Sequence, residues 1–183
     1  MKKNHLINLC ISSFISSNII GLPIIAKAQS FNNSQPIITA QNVNQLTEEN
    51  LTAIMTTIEK AEKEKNLQPI LDYLSPYVIS TVTVESDNRT IITSLQGKKS
   101  HENFLKNSFA TLKNETDINS YSNIKITEDG QMASVTRVQG TDIVTEDGKK
   151  YLSVSTDKIH FALIDNEPKI INVEVKGWLQ ERP

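Results

Sequence analysis

Residues 47–183 read as an α+β domain on three observations. Three stretches in the first half of that region are apolar along one helical side, β-branched runs fill most of the remainder, and the turn signals Asp129-Gly130 and Asp147-Gly148 separate those runs. Helices with one apolar side must cover one face of a sheet. The order therefore predicts three N-terminal-half helices packed on an antiparallel sheet of about six strands.

Each element has its own signals. Thr47 is placed to cap a helix with Glu48 and Glu49 in its first turn, an apolar side of Leu51, Ile54, Met55, Ile58 and Ala61, and Lys60, Lys63 and Lys65 at its end. A shorter helix follows, with Pro69 in its first turn, Ile70, Leu71 and Leu74 on its apolar side, and Pro76 as its stop. The run 77–85 predicts a strand, and Ser86-Asp87-Asn88 turns it back into the short strand TIITSL. Ser100 is the expected cap of a third helix, with Phe104, Leu105, Ser108, Phe109 and Leu112 on one side. From Ile118 onward, strands are expected over 121–127, 131–145, 149–164 and 169–179 as a meander.

The first 28 residues are of another kind. Lys2 and Lys3 precede an apolar run that ends in Ala26-Lys27-Ala28, the order of a secretory signal peptide, with cleavage expected between Ala28 and Gln29. An uncleaved anchor is the alternative, but Ser, Asn, Gly and Pro dilute the run. Residues 29–46 are rich in Asn, Gln and Ser and read as a flexible linker. The exported part carries 16 basic against 21 acidic residues and no cysteine, since Cys10 leaves with the signal. A periplasmic or secreted protein without disulfides follows, with no stable membrane anchor after cleavage and a charge that disfavours nucleic acid.

The order of elements, the helix running into LQPILDYLSPYVIS, the segment GKKSHENFLKNSF and the three long final strands resemble the nuclear transport factor 2-like superfamily, including SnoaL-like proteins and ketosteroid isomerases. The resemblance covers about residues 47 to 180. It implies a strongly curved, cone-shaped sheet, a ligand pocket inside the cone, and dimerisation through the outer sheet face. Acid–base catalysis in the cone is common in that superfamily. This sequence lacks a recognisable Tyr with paired Asp residues, so isomerase activity is not implied.

The stretch VSTDKIHFAL, 154–163, puts Asp157, Lys158 and His160 into an otherwise apolar strand. A two-residue turn at Asp147-Gly148 sets Glu146 opposite Lys149. An unbroken register from there turns His160 inward and Ile159 and Phe161 toward solvent. One extra residue between Ser155 and Lys158 restores an apolar inner face, and a bulge there is the expectation. His160 then lies outside, opposite Glu174, while Arg137 points inward with Gln139 and Thr156 beside it. A buried cation requires a partner, a wet pocket or a bound anion, so Arg137, Gln139 and Thr156 are candidate ligand-binding residues. Snorkelling of Arg137 to the rim is the alternative.

Metal and cofactor chemistry find no support. Only His101 and His160 lie beyond the leader, without metal-ligand spacing, and neither a nucleophile elbow nor a phosphate-binding glycine loop occurs. Asp157 and His160 are the weak catalytic candidates, with Tyr73, Tyr77 or Tyr121 as hydrogen-bond donors. Trp178 is the candidate anchor of an interface, including that of a homodimer. The leading expectation is a non-catalytic domain that holds a small, partly apolar ligand in its cone. A small isomerase, hydrolase or dehydratase, or a protein-interaction module, are the alternatives.

Overall fold

The computed structural model describes residues 44–86 and 89–183; the expected signal peptide, its cleavage site and most of the linker lie outside them. Helix α1 is Glu48–Lys63, α2 Leu67–Tyr73, and α3 Gly97–Thr111. The strands are β1 Leu74–Ser86, β2 Arg89–Gln96, β3 Leu112–Ile126, β4 Met132–Thr145, β5 Lys150–Ile164 and β6 Glu167–Arg182. They form one curved, unclosed sheet in the order β2-β1-β6-β5-β4-β3. Four of the neighbouring pairs are antiparallel, but β1 and β6 run parallel. That pairing joins the first strand to the last, where no hairpin turn specifies direction.

Helix α1 forms as its sequence dictates. The Thr47 hydroxyl accepts from the Asn50 amide, Glu48 and Glu49 face the positive end of the helix dipole, and Lys60 and Lys63 face the negative end. Its stripe of Leu51, Ile54, Met55, Ile58 and Ala61 enters the core. Leu46, read as linker, belongs to the domain. It is buried in the same core, and its amide donates to the Gly130 carbonyl at 2.8 Å. Sitting one residue before the cap, it is placed as a hydrophobic staple to Leu51.

Three boundaries move. Pro76 does not stop α2 but sits within β1, where the ladder to β6 is interrupted between Leu74 and Ile79. That is a place where a missing N–H costs no ladder bond. Helix α3 begins at Gly97, with Gln96 at the cap position, so Ser100 lies inside it. The φ of 75° at Gly97 makes the turn from strand into helix and fixes the start earlier. Strand β3 begins at Leu112, well before residue 121. Its first half carries Glu115 and Asp117 where an apolar alternation would have revealed it.

The turn between β4 and β5 overturns the expected bulge. The Thr145 amide donates to the Lys149 carbonyl at 3.0 Å and the Gly148 amide to the Thr145 carbonyl at 2.9 Å, leaving three residues in the loop. Pairing shifts by one from the two-residue case, so Ile143 lies opposite Tyr151, Val135 opposite Ile159 and Ala133 opposite Phe161 in an unbroken ladder. The apolar residues face inward with nothing inserted near Ser155 to Lys158. A bulge does occur one strand over. β6 pairs His160 with Asn172 and Phe161 with Ile170, leaving Ile171 as the extra residue. Ile170 and Val173 therefore both face inward. The β5–β6 turn is the two-residue Asp165-Asn166, both at positive φ, the geometry that favours such polar residues.

A buried polar pair fixes α3 on β1. His101 Nδ1 lies 2.8 Å from the Gly97 carbonyl oxygen and Nε2 2.6 Å from the Ser80 hydroxyl. With Nδ1–H donated to the carbonyl, Nε2 accepts from Ser80. Burial holds the His101 pKa below its usual range.

Candidate functional site: a carboxyl-rich cone interior

The inner face of the sheet is apolar at one end and polar in the middle. Arg137 on β4 stands directly opposite Asp157 on β5, and Gln139, Thr141, Ser153 and Ser155 extend the polar row, all fully or nearly fully buried. Arg137 is one of the largest wholly buried side chains in the protein. Its Nη2 and Nε donate to Asp157 Oδ2 at 3.0 and 3.3 Å, and Nη1 reaches Glu59 Oε1 at 3.5 Å. The guanidinium thus bridges the sheet to α1 and does not snorkel.

Glu59 and Glu62 come from the sheet-facing side of α1, four residues after Met55 and Ile58 respectively, and both are buried. One guanidinium stands among several buried carboxyls, and burial raises their affinity for protons. Burial pushes Asp157 and Glu59 up to about 7 against the downward pull of Arg137. Burial drives Glu62 well above the usual range; Arg137 opposes this, and Glu115, Glu59 and Asp157 reinforce it. Asp117 is raised by burial, with Lys63 Nζ 4.0 Å away pulling it down.

Beside this cluster a cavity of about 250 Å³ opens between the C-terminal ends of α1 and α3 and the start of β3. Leu105, Phe109 and Leu112 give it an apolar side. Glu62, Glu115 and Asp117 line it from α1 and β3, together with the exposed Lys63, Lys65 and Lys113. Lys65 is anchored by a 2.6 Å hydrogen bond from Nζ to the Leu112 carbonyl. Asp157 and Arg137 do not line this cavity.

The expected site residues separate. Arg137, Gln139 and Asp157 lie together inside the cone. Thr156 does not join them: it is exposed on the outer face between Val138 and Lys176, because the unbroken register gives even-numbered β5 residues to solvent. His160 is also outside, paired with Ser134 and Asn172, its Nε2 3.8 Å from Glu174 Oε1. Tyr77 and Tyr121 are exposed and give the cone no donor, while Tyr73 packs at the edge of the core. Trp178 lies on the outer face opposite Val154, beside a row that holds Val138 and Tyr121.

No protein-family model and no curated protein matches this sequence. Solved structures do match its shape. An NTF2-like protein of unknown function from Pseudomonas putida KT2440 superimposes with a TM-score of 0.54 at 7% identity, covering 70% of this chain and 84% of that one. The fold is nuclear transport factor 2-like. A ketosteroid isomerase-like protein from Erwinia carotovora atroseptica SCRI1043 gives 0.51 at 9% identity, over 69% of this chain and 92% of its own. The CaMKII hub of S. rosetta gives 0.50 at 14%, over 70% and 95%. At such identities the nuclear transport factor 2-like fold transfers and residue roles do not.

Glu59 and Glu62 were missed in the sequence, although a signal was there. Carboxylates at positions in phase with the apolar stripe of a helix must either be paired or protonated. Glu115 and Asp117 gave no such signal, since they fall in a stretch without strand periodicity.

Proposed function

We propose that the cone binds a small, partly apolar ligand in the cavity between α1, α3 and β3, without chemistry on it, in an exported protein. The observation that carries this reading is a cavity with one apolar side, formed by Leu105, Phe109 and Leu112, and a buried carboxyl, Glu62, on the other. Pockets that fix small molecules combine these two kinds of wall. The volume, about 250 Å³, suits a molecule of fewer than about twenty heavy atoms. The order of Lys2, Lys3, apolar run and Ala26-Lys27-Ala28 supports export with cleavage after Ala28.

Acid–base catalysis has one observation in its favour, the Asp157 carboxyl pushed to about 7. That carboxyl is fully buried, bonded to Arg137 and off the cavity wall, which supports a structural role for it. The outer patch of Trp178, Val154, Val138 and Tyr121, each more than a third exposed, supports self-association through the sheet.

Native mass spectrometry of the protein purified from its own host tests these readings together. A retained small mass that disappears in Leu105→Trp, which fills the cavity, is the expected result. A bare mass in the wild type, or an adduct untouched by the Trp, refutes the site. A doubled mass abolished by Trp178→Ala is expected for the outer face.

A further inference from the structure

We propose that the ligand is a small organic cation, an alkylammonium seated against Glu62 with its alkyl part on Leu105, Phe109 and Leu112. This rests on the cavity being a ligand site and adds its chemical class. Glu62 lines the cavity, is 8% exposed, and its Oε2 is buried with no hydrogen-bond partner. A buried carboxyl oxygen left so is unfavourable, and a donor from a ligand would recover that loss. Asp117, on the facing strand, also lines the cavity, and its Oδ1 is likewise buried without a partner.

The acidic groups around Glu62 favour a cationic ligand. Glu59 stands beside it on α1, Glu115 and Asp117 face it from β3, and Asp157 lies beyond on β5. Against these stand Arg137, already bonded to Asp157 and Glu59, and Lys63, near Asp117. The α3 wall contributes only Leu105, Ser108 and Phe109, without charge, while Lys65 and Lys113 line the cavity as exposed residues, Lys65 with its Nζ bonded to the Leu112 carbonyl. An ammonium supplies the donors that Glu62 Oε2 and Asp117 Oδ1 lack, and an anion supplies none. Among the described residues no three His, Cys, Asp or Glu side chains are grouped to hold a metal ion.

Binding an ammonium favours the Glu62 carboxylate, and no bond in the ligand is made or broken. The test uses pentylamine, pentanol and pentanoate as matched probes on the purified protein at pH 7, followed by NMR titration and by calorimetry. Pentylamine is expected to bind at least tenfold more tightly than either of the others. In Glu62→Gln the amine-over-alcohol ratio falls to near one. The wild-type series needs no variant, so a poorly folded Glu62→Gln leaves the test intact. Pentanol binding as well as the amine, or pentanoate better, overturns the cationic class while leaving the cavity a ligand site. Failure of all three to bind overturns both.

Discussion

Replacing Arg137 by Met should destabilise the fold by an amount that grows with pH. In the wild type, Asp157 and Glu59 have carboxyl pKa values raised to about 7. A carboxyl raised in the folded state favours folding most below its unfolded pKa. That advantage is lost as pH climbs through the window up to about 7, because the unfolded chain gives up its proton first. At pH 5 both carboxyls are largely protonated with or without Arg137. The loss there is that of the hydrogen bonds and buried partner, about 1–2 kcal/mol. Above pH 7 the wild type ionises them against the guanidinium, whereas the Met variant must keep them protonated. Each pH unit beyond 7 then costs it about 1.4 kcal/mol for each carboxyl. Discounting Glu59 for its longer 3.5 Å contact with Arg137 leaves about 2 kcal/mol extra at pH 8. The total of about 3–4 kcal/mol matches the cost of breaking a buried pair. Urea unfolding followed by far-UV circular dichroism at pH 5, 6, 7 and 8 measures it. A difference that is the same at pH 5 and pH 8, or larger at pH 5, would refute this account of the cone interior.

Two further outcomes follow from the fold. Ser80→Ala leaves His101 Nε2 without its 2.6 Å donor and should cost about 1–3 kcal/mol in urea unfolding; a neutral effect would mean that the pair is incidental. Gly130 and Gly148 both have positive φ, at 68° and 82°, so Ala at either is strained by about 1–2 kcal/mol. A methyl at 130 would also meet the Gln45 side chain at 2.8 Å, whereas nothing lies within 4 Å at 148. Gly130→Ala should therefore lower the thermal midpoint further than Gly148→Ala, and equal shifts would argue against the packing of residues 44–46 on that turn.

Local chemistry made much of this protein legible from its sequence. Thr47, the α1 stripe and the Asp-Gly turns announce themselves because caps, helical phase and positive φ are properties of short segments. The direction of Arg137 also follows from strand alternation, and it does point inward. What surrounds it does not follow. A loop of three residues in place of two displaced the β4–β5 register by one, removed the need for a bulge in β5 and sent Thr156 outside. The bulge at Ile171 answers to the pairing of β5 with β6, a contact between strands that no single segment encodes. By itself the sequence determined the α+β class, the helices and the inward face of β4. Only the tertiary structure decided that Asp157 and Glu59 neutralise Arg137 and that Glu62 stands at a cavity. Burial and pairing across α1, β3, β4 and β5 set those charges, and both are properties of the assembled chain.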